Sequence, residues 1–113
     1  MEARAVAKYI RLSPLKVQRV AQMIRGHGVR EAEAMLRFTP NRAARVIEKV
    51  LKSAVANAEN NYDLARDELI VARAFVDRGP STRRVQARAR GRADVIIKRS
   101  AHVTVIVAER GRA

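Results

Sequence analysis

Residues 79–99 read GPSTRRVQARARGRADVIIKR. Arg83, Arg84, Arg88, Arg90, Arg92, Lys98 and Arg99 stand there against one acid, Asp94. Apart from the aliphatic cluster Val95, Ile96 and Ile97, the stretch alternates arginine with small residues. It cannot bury a core of its own, and guanidinium groups so crowded call for a polyanion around them. Strand-like runs lie on either side, at 68–76 and 95–108, so the segment reads as the far end of a long β-hairpin. If the middles of the two apolar runs face each other, near Ala72 and Val105, antiparallel pairing puts the turn at Arg88 or Ala89. Gly91 is close by, where a tight turn would want it. Each limb then extends about 12–15 residues beyond the body, or about 40–50 Å at strand rise. A globule of this length has a gyration radius of only about 13 Å. An isolated two-stranded ribbon is marginal in water, and this one repels itself, so its tip is expected to be mobile alone and ordered by a partner.

Outward from the hairpin, the rest of the chain supplies a body. In the run at 95–108, Ala101, Val103, Val105 and Val107 alternate with His102, Thr104 and Ile106. Residues 3–12 alternate loosely, with Ala5, Ala7 and Tyr9 on one side and Arg4, Val6, Lys8 and Ile10 on the other, which predicts a short strand. Ser13-Pro14 marks a helix start, with serine placed to accept an orphan N–H and proline suited to the first helical position. Val17, Val20, Ala21 and Ile24 follow at helical spacing, and Gly26 fits just beyond the end. A second, shorter helix is expected over 30–37, with Ala32, Met35 and Leu36 inward. Thr39-Pro40 opens a third. Val46, Ile47, Val50, Leu51, Ala54, Val55 and Ala58 form one apolar stripe on it, the clearest period in the chain. From Asn41 to Asn60 it would be about 30 Å long. Phe38 and Phe75 are expected in the core. The fold class is α+β: three helices packed on a small antiparallel three-stranded sheet, with a long protruding β-hairpin. One domain is expected over 1–113, with a body at about 1–78 and 100–110 and an arm at about 79–99.

Composition agrees. The chain has 113 residues and a formal net charge of +13, far more than solubility needs. Arginine greatly outnumbers lysine, and arginine grips phosphate with paired hydrogen bonds and stacks on bases. There is no cysteine, so disulfides and thiolate metal sites are excluded. The opening MEARAVAKYIRL lacks the apolar core of a signal peptide, and no run reaches the roughly 20 apolar residues of a membrane span. These features predict a cytoplasmic protein without a membrane partner.

A second basic zone runs from Arg4 through Lys8, Arg11, Lys16, Arg19, Arg25 and Arg30 without an intervening acid. Lys8, Arg11, Lys16 and Arg19 surround the first strand–helix junction, whose first amides favour anions. With Arg78, Arg83, Arg84, Arg88, Arg90, Arg92, Lys98 and Arg99 they make the candidate RNA-binding set. His27 and His102 sit in no cluster with metal spacing, so no metal or other cofactor is expected. No nucleophile elbow, P-loop or dinucleotide fingerprint is present, and no small-molecule substrate or catalytic residue is assigned. Aromatics are scarce, so recognition by phosphate contact, shape and arginine stacking is favoured over base-by-base reading.

The motif Arg83, four residues, Arg88-Ala89, one residue, Gly91-Arg92, nine residues, His102-Val103-x-Val105-x-Val107 resembles the bacterial form of the large-subunit ribosomal protein twenty-two family. The opening Tyr9-Ile10-Arg11-Leu12-Ser13-Pro14, the middle Lys49-Val50-Leu51-Lys52-Ser53-Ala54 with Ala56-Asn57-Ala58-Glu59-Asn60, and the stretch from Phe75-Val76-Asp77 to Gly79-Pro80-Ser81 resemble it too. The resemblance implies a structural protein of the large subunit, bound to ribosomal RNA and supporting assembly. It implies that the hairpin end, carried onto Arg88, Ala89, Arg90, Gly91 and Arg92, lines the nascent-peptide exit tunnel. Neighbouring ribosomal proteins at the tunnel, and the nascent peptide in passing, would be further partners.

The alternative is an architectural DNA-binding protein with basic β-arms. Such arms insert an apolar wedge at a kink, whereas this tip carries alanine and glycine. A helix-turn-helix reading needs an exposed recognition helix, and the apolar stripe of the third helix argues against one.

Overall fold

The computed structural model describes residues 2–87, 91 and 93–109. Its elements are β1 (Glu2–Ile10), α1 (Pro14–Ile24), α2 (Val29–Arg37), α3 (Arg42–Tyr62), β2 (Leu69–Arg78), β3 (Thr82–Ala87), β4 (Ala93–Lys98) and β5 (Ala101–Glu109), with a 3-10 turn at Arg66–Glu68. The body sheet is antiparallel with the order β1-β5-β2, while β3 and β4 form a separate two-stranded ribbon.

The three helices cover one face of the body sheet. Val17, Ala21, Ile24, Leu36, Ile47, Leu51 and Val55 pack there against Leu69, Val71, Val103, Val105 and Val107, and all are buried. α3 is the longest helix. Asn41 caps it by accepting from the Ala44 N–H at 2.8 Å, and Asp63 closes it in a left-handed conformation. On the sheet's other face Thr104 and Ile106 are also buried. No helix is needed to shelter them: Thr104 lies between Val6 and Phe75 in register, and Ile106 between Arg4 and Arg73.

Several expectations change in detail. Tyr9 leaves the inward face: the β1–β5 register shifts between Ala7 and Ile10, Tyr9 adopts φ 59°, and its ring is exposed while Ile10 packs on the core. Ser13 stands at the start of α1, but its side chain makes no capping bond; Pro14, lacking an N–H, leaves one donor fewer to cap. Phe38 is not core but 82% exposed, because α2 ends just before it and the chain turns towards α3. The single run expected at 95–108 is two strands, broken at Arg99-Ser100.

The hairpin register also differs. Val105 faces Ala74, not Ala72: the register at the start of β2 already differs by one residue, and the bulge between Val71 and Arg73 adds the second. Thr82 then pairs with Lys98 and Ala87 with Ala93. The expected turn at Arg88 or Ala89, and the expected mobility of the tip, lie outside the described residues. Gly91, at φ 71°, has the conformation that an L side chain strains to adopt. The molecule is elongated, at 62 × 26 × 21 Å with a gyration radius of 17.1 Å, as a body carrying a slender projection should be.

Candidate nucleic-acid interface

The ribbon leaves the body through a short outgoing link, 79–81, and returns through 99–100. One buried residue ties the two together. Ser100 donates its hydroxyl to the Pro80 carbonyl at 2.7 Å and accepts the Gly79 N–H on its own carbonyl at 3.0 Å. Gly79 is required by this approach: a Cβ there would collide with Ser100 Oγ and press on the His102 ring. His102 in turn accepts the Tyr9 N–H on Nδ1 at 3.1 Å and meets the Tyr9 ring edge-to-face at 5.0 Å. The end of β1, the link and the start of β5 are thus fastened at one point, which fixes where the ribbon emerges.

Two clefts flank that point. One, of about 640 Å³, is lined by Arg11, Lys98 and Arg99 together with Tyr9 and Ile97. The other, of about 510 Å³, is lined by Arg78, Arg83 and Arg99 together with Leu15 and Ile97. Among the described residues no carboxylate lines either cleft. Of the candidate set, the structure gathers Arg11, Arg78, Arg83, Lys98 and Arg99 here. Lys8, Lys16 and Arg19 are exposed on β1 and α1 but line neither cleft. Arg25 donates Nε–H to the Ala74 carbonyl at 2.7 Å, so it fastens the end of α1 to β2. Arg84 enters through its backbone pairing with Ile96. Arg88, Ala89, Arg90 and Arg92 lie outside the described residues.

Six of the acids are engaged elsewhere. Glu2 pairs with Arg73, Asp67 with Arg30, Glu33 and Glu59 with Arg66, and Glu48 with Arg45 and Lys52. Glu31 lies 3.1 Å from His27. Among the described residues, none of Lys8, Arg11, Lys16, Arg19, Arg78, Arg83, Lys98 and Arg99 has a carboxylate within ion-pairing distance. The positive charge is therefore unevenly balanced: Arg30, Arg45, Lys52, Arg66 and Arg73 have carboxylate partners, and the cations of the two clefts have none among the described residues. Such a surface attracts phosphates and raises their local concentration.

Three residues at the surface carry more than the sequence reading assigned. Tyr9 and Ile97 line the clefts and are 64% and 50% exposed. Phe38 stands at another turn. Ile97 had a visible signal, an aliphatic residue in a segment with no core to enter. Tyr9 had none, because a bulge moves it outward.

A small α+β body bearing a basic ribbon, with no carboxylate among the described residues that line the clefts at its base, has the form of a scaffold for a polyanion. The family model described as ribosomal protein L22p/L17e matches residues 5–108, and the chain belongs to that family. Proteins called large ribosomal subunit protein uL22 are similar over almost the whole chain. That of Carboxydothermus hydrogenoformans is 56% identical over 110 residues, 97% of each chain. That of Clostridium acetobutylicum is 57% identical over 110 residues, 97% of this chain and 99% of its own. The chain is accordingly a structural ribosomal protein and not an enzyme. The DNA-binding alternative is left without support.

Proposed function

We propose that the chain, working as one unit over 1–113, binds ribosomal RNA of the large subunit, supports the subunit's assembly and projects its hairpin into the wall of the nascent-peptide exit tunnel. The body is then about 1–78 and 100–110 and the arm about 79–99. The observation that carries this reading is the pair of basic clefts at the base of the ribbon, with no carboxylate among their described lining residues, in a chain of this family. Arg11, Arg78, Arg83, Lys98 and Arg99 hold RNA where the ribbon emerges, and Lys8, Lys16, Arg19, Arg25 and Arg84 extend the contact along β1, α1 and the ribbon. The tip, Arg88, Ala89, Arg90, Gly91 and Arg92, lines the tunnel beside neighbouring ribosomal proteins and touches the nascent peptide in passing. The protein resides on cytoplasmic ribosomes.

A ribbon threaded through RNA resists salt better than a surface contact. A tagged copy purified from cells should co-sediment with large-subunit particles and stay on them through a high-salt wash. Release of the protein by that wash would reduce the contact to a superficial one, and absence from the particles would overturn the assignment.

A further inference from the structure

Phe38, in the turn between α2 and α3, is the most exposed large apolar side chain among the described residues, at 82%. Exposure of one ring is unremarkable by itself, but this turn is held rigid around it. The Phe38 N–H bonds the Ala34 carbonyl at 3.2 Å, and the Thr39 hydroxyl donates to the Met35 carbonyl at 2.7 Å. Arg45 reaches back from α3 and donates to the carbonyls of Leu36, Arg37 and Thr39. Asn41, next along, caps α3. The ring is therefore displayed on a braced platform.

Its surroundings are cationic. A shallow hollow of about 550 Å³ is lined by Arg37, Arg42 and Arg45 beside Phe38, with no carboxylate among the described lining residues. Arg37 and Arg42 have no carboxylate partner among the described residues, whereas Arg45 keeps Glu48 at 3.6 Å. Apart from Pro40 no aliphatic residue contributes. A protein-docking hot spot would set its aromatic anchor among other apolar groups. An aromatic face flanked by guanidinium groups fits instead an unpaired base with its phosphates.

We propose that the α2–α3 turn is a second RNA contact of this protein, in which Phe38 stacks on an unpaired base while Arg37 and Arg42 hold the adjoining phosphates. The proposal rests on the ribosomal-RNA reading above and adds to it a site on the body, apart from the ribbon, that recognises single-stranded rather than helical RNA.

The chain contains no tryptophan, so F38W gives a lone indole reporter at a position too exposed to disturb the core. The full-length F38W protein is titrated with a labelled, unstructured single-stranded RNA, and label anisotropy and indole emission are read together. Emission should be quenched and shielded from acrylamide as the RNA saturates. F38A and F38L should each weaken binding of this RNA about tenfold, with the salt slope unchanged because no charge is lost, while F38Y keeps the affinity. RNA that binds without changing the indole overturns this proposal and leaves the ribbon reading standing. Failure of the wild-type chain to bind any RNA removes both. Full rescue by F38L, with the indole shielded only in assembled subunits, gives the turn to a neighbouring protein and overturns the proposal as well.

Discussion

At Gly79 a single hydrogen in place of a side chain lets the link cross Ser100 and His102. Gly79→Ala forces a Cβ into the Ser100 hydroxyl, an overpacking that should cost about 1–3 kcal/mol in a urea melt. Combining it with Ser100→Ala removes the colliding oxygen together with the bond to Pro80. The double variant should therefore lose less than the two single losses added, a non-additivity expected of residues in contact. Strict additivity would show that the link does not close on Ser100. Residue-level detail of this kind was partly legible in the sequence. Pro14 and Gly26 announced the ends of α1, because proline fixes its own φ and glycine admits the positive φ found there. Tyr9 was not legible: its outward position depends on a register shift against β5, a strand more than ninety residues away in the chain.

Among the helices, α3 buries the most residues. Leu51 is fully buried midway along it. Leu51→Ala should cost about 2–5 kcal/mol in thermal or urea unfolding, whereas Lys52→Ala, next to it and exposed, should cost less than about 0.5 kcal/mol. A small loss at Leu51 would mean that α3 does not organise the core. Asn41→Ala should cost about 1 kcal/mol through the lost cap. The helices could be read from their apolar stripe, since a 3.6-residue period survives any choice of neighbour. The stripe anticipated Ile47, Val50, Leu51, Ala54, Val55 and Ala58, and it missed only Ala43 and Ala44 at the first turn, where short side chains carry a weak signal. The strand break at Arg99-Ser100 could not be read, because β-branched residues continue on both sides of it. What ends β4 and starts β5 is the Ser100 contact with residues twenty positions earlier.

Over the whole molecule, charge is arranged rather than merely abundant. The basic residues were legible as a list because arginine density is visible in one dimension. The gathering of Arg11, Arg78, Arg83, Lys98 and Arg99 at the ribbon base was not, since Arg11 joins Arg99 only through the antiparallel sheet. Changing Arg11, Lys98 and Arg99 together to glutamine should leave the melting temperature nearly unchanged, as none is in an ion pair among the described residues. The slope of log affinity for ribosomal RNA against log salt should fall by about one for each residue that touches phosphate. An unaltered slope would remove these three from the interface. At the tip, Arg90→Glu with Arg92→Glu should change the time that acidic nascent stretches take to pass, read by ribosome-stalling reporters. Unchanged timing would separate the tip's charge from any influence on the passing chain.

The two limbs of the hairpin are unequal. The bulge after Val71 adds a residue to the outgoing limb, and the outgoing link has three residues, 79–81, where the return has two, 99–100. Because β pairing alternates faces with every position, these offsets set the phase in which side chains arrive at the apex. The limbs therefore behave as matched gauges. Lengthening one side by a single residue inverts the facing of everything distal to it, while a two-residue change, or a matched change on both sides, preserves the pattern. Viable length variants of this protein should come in those even or mirrored steps.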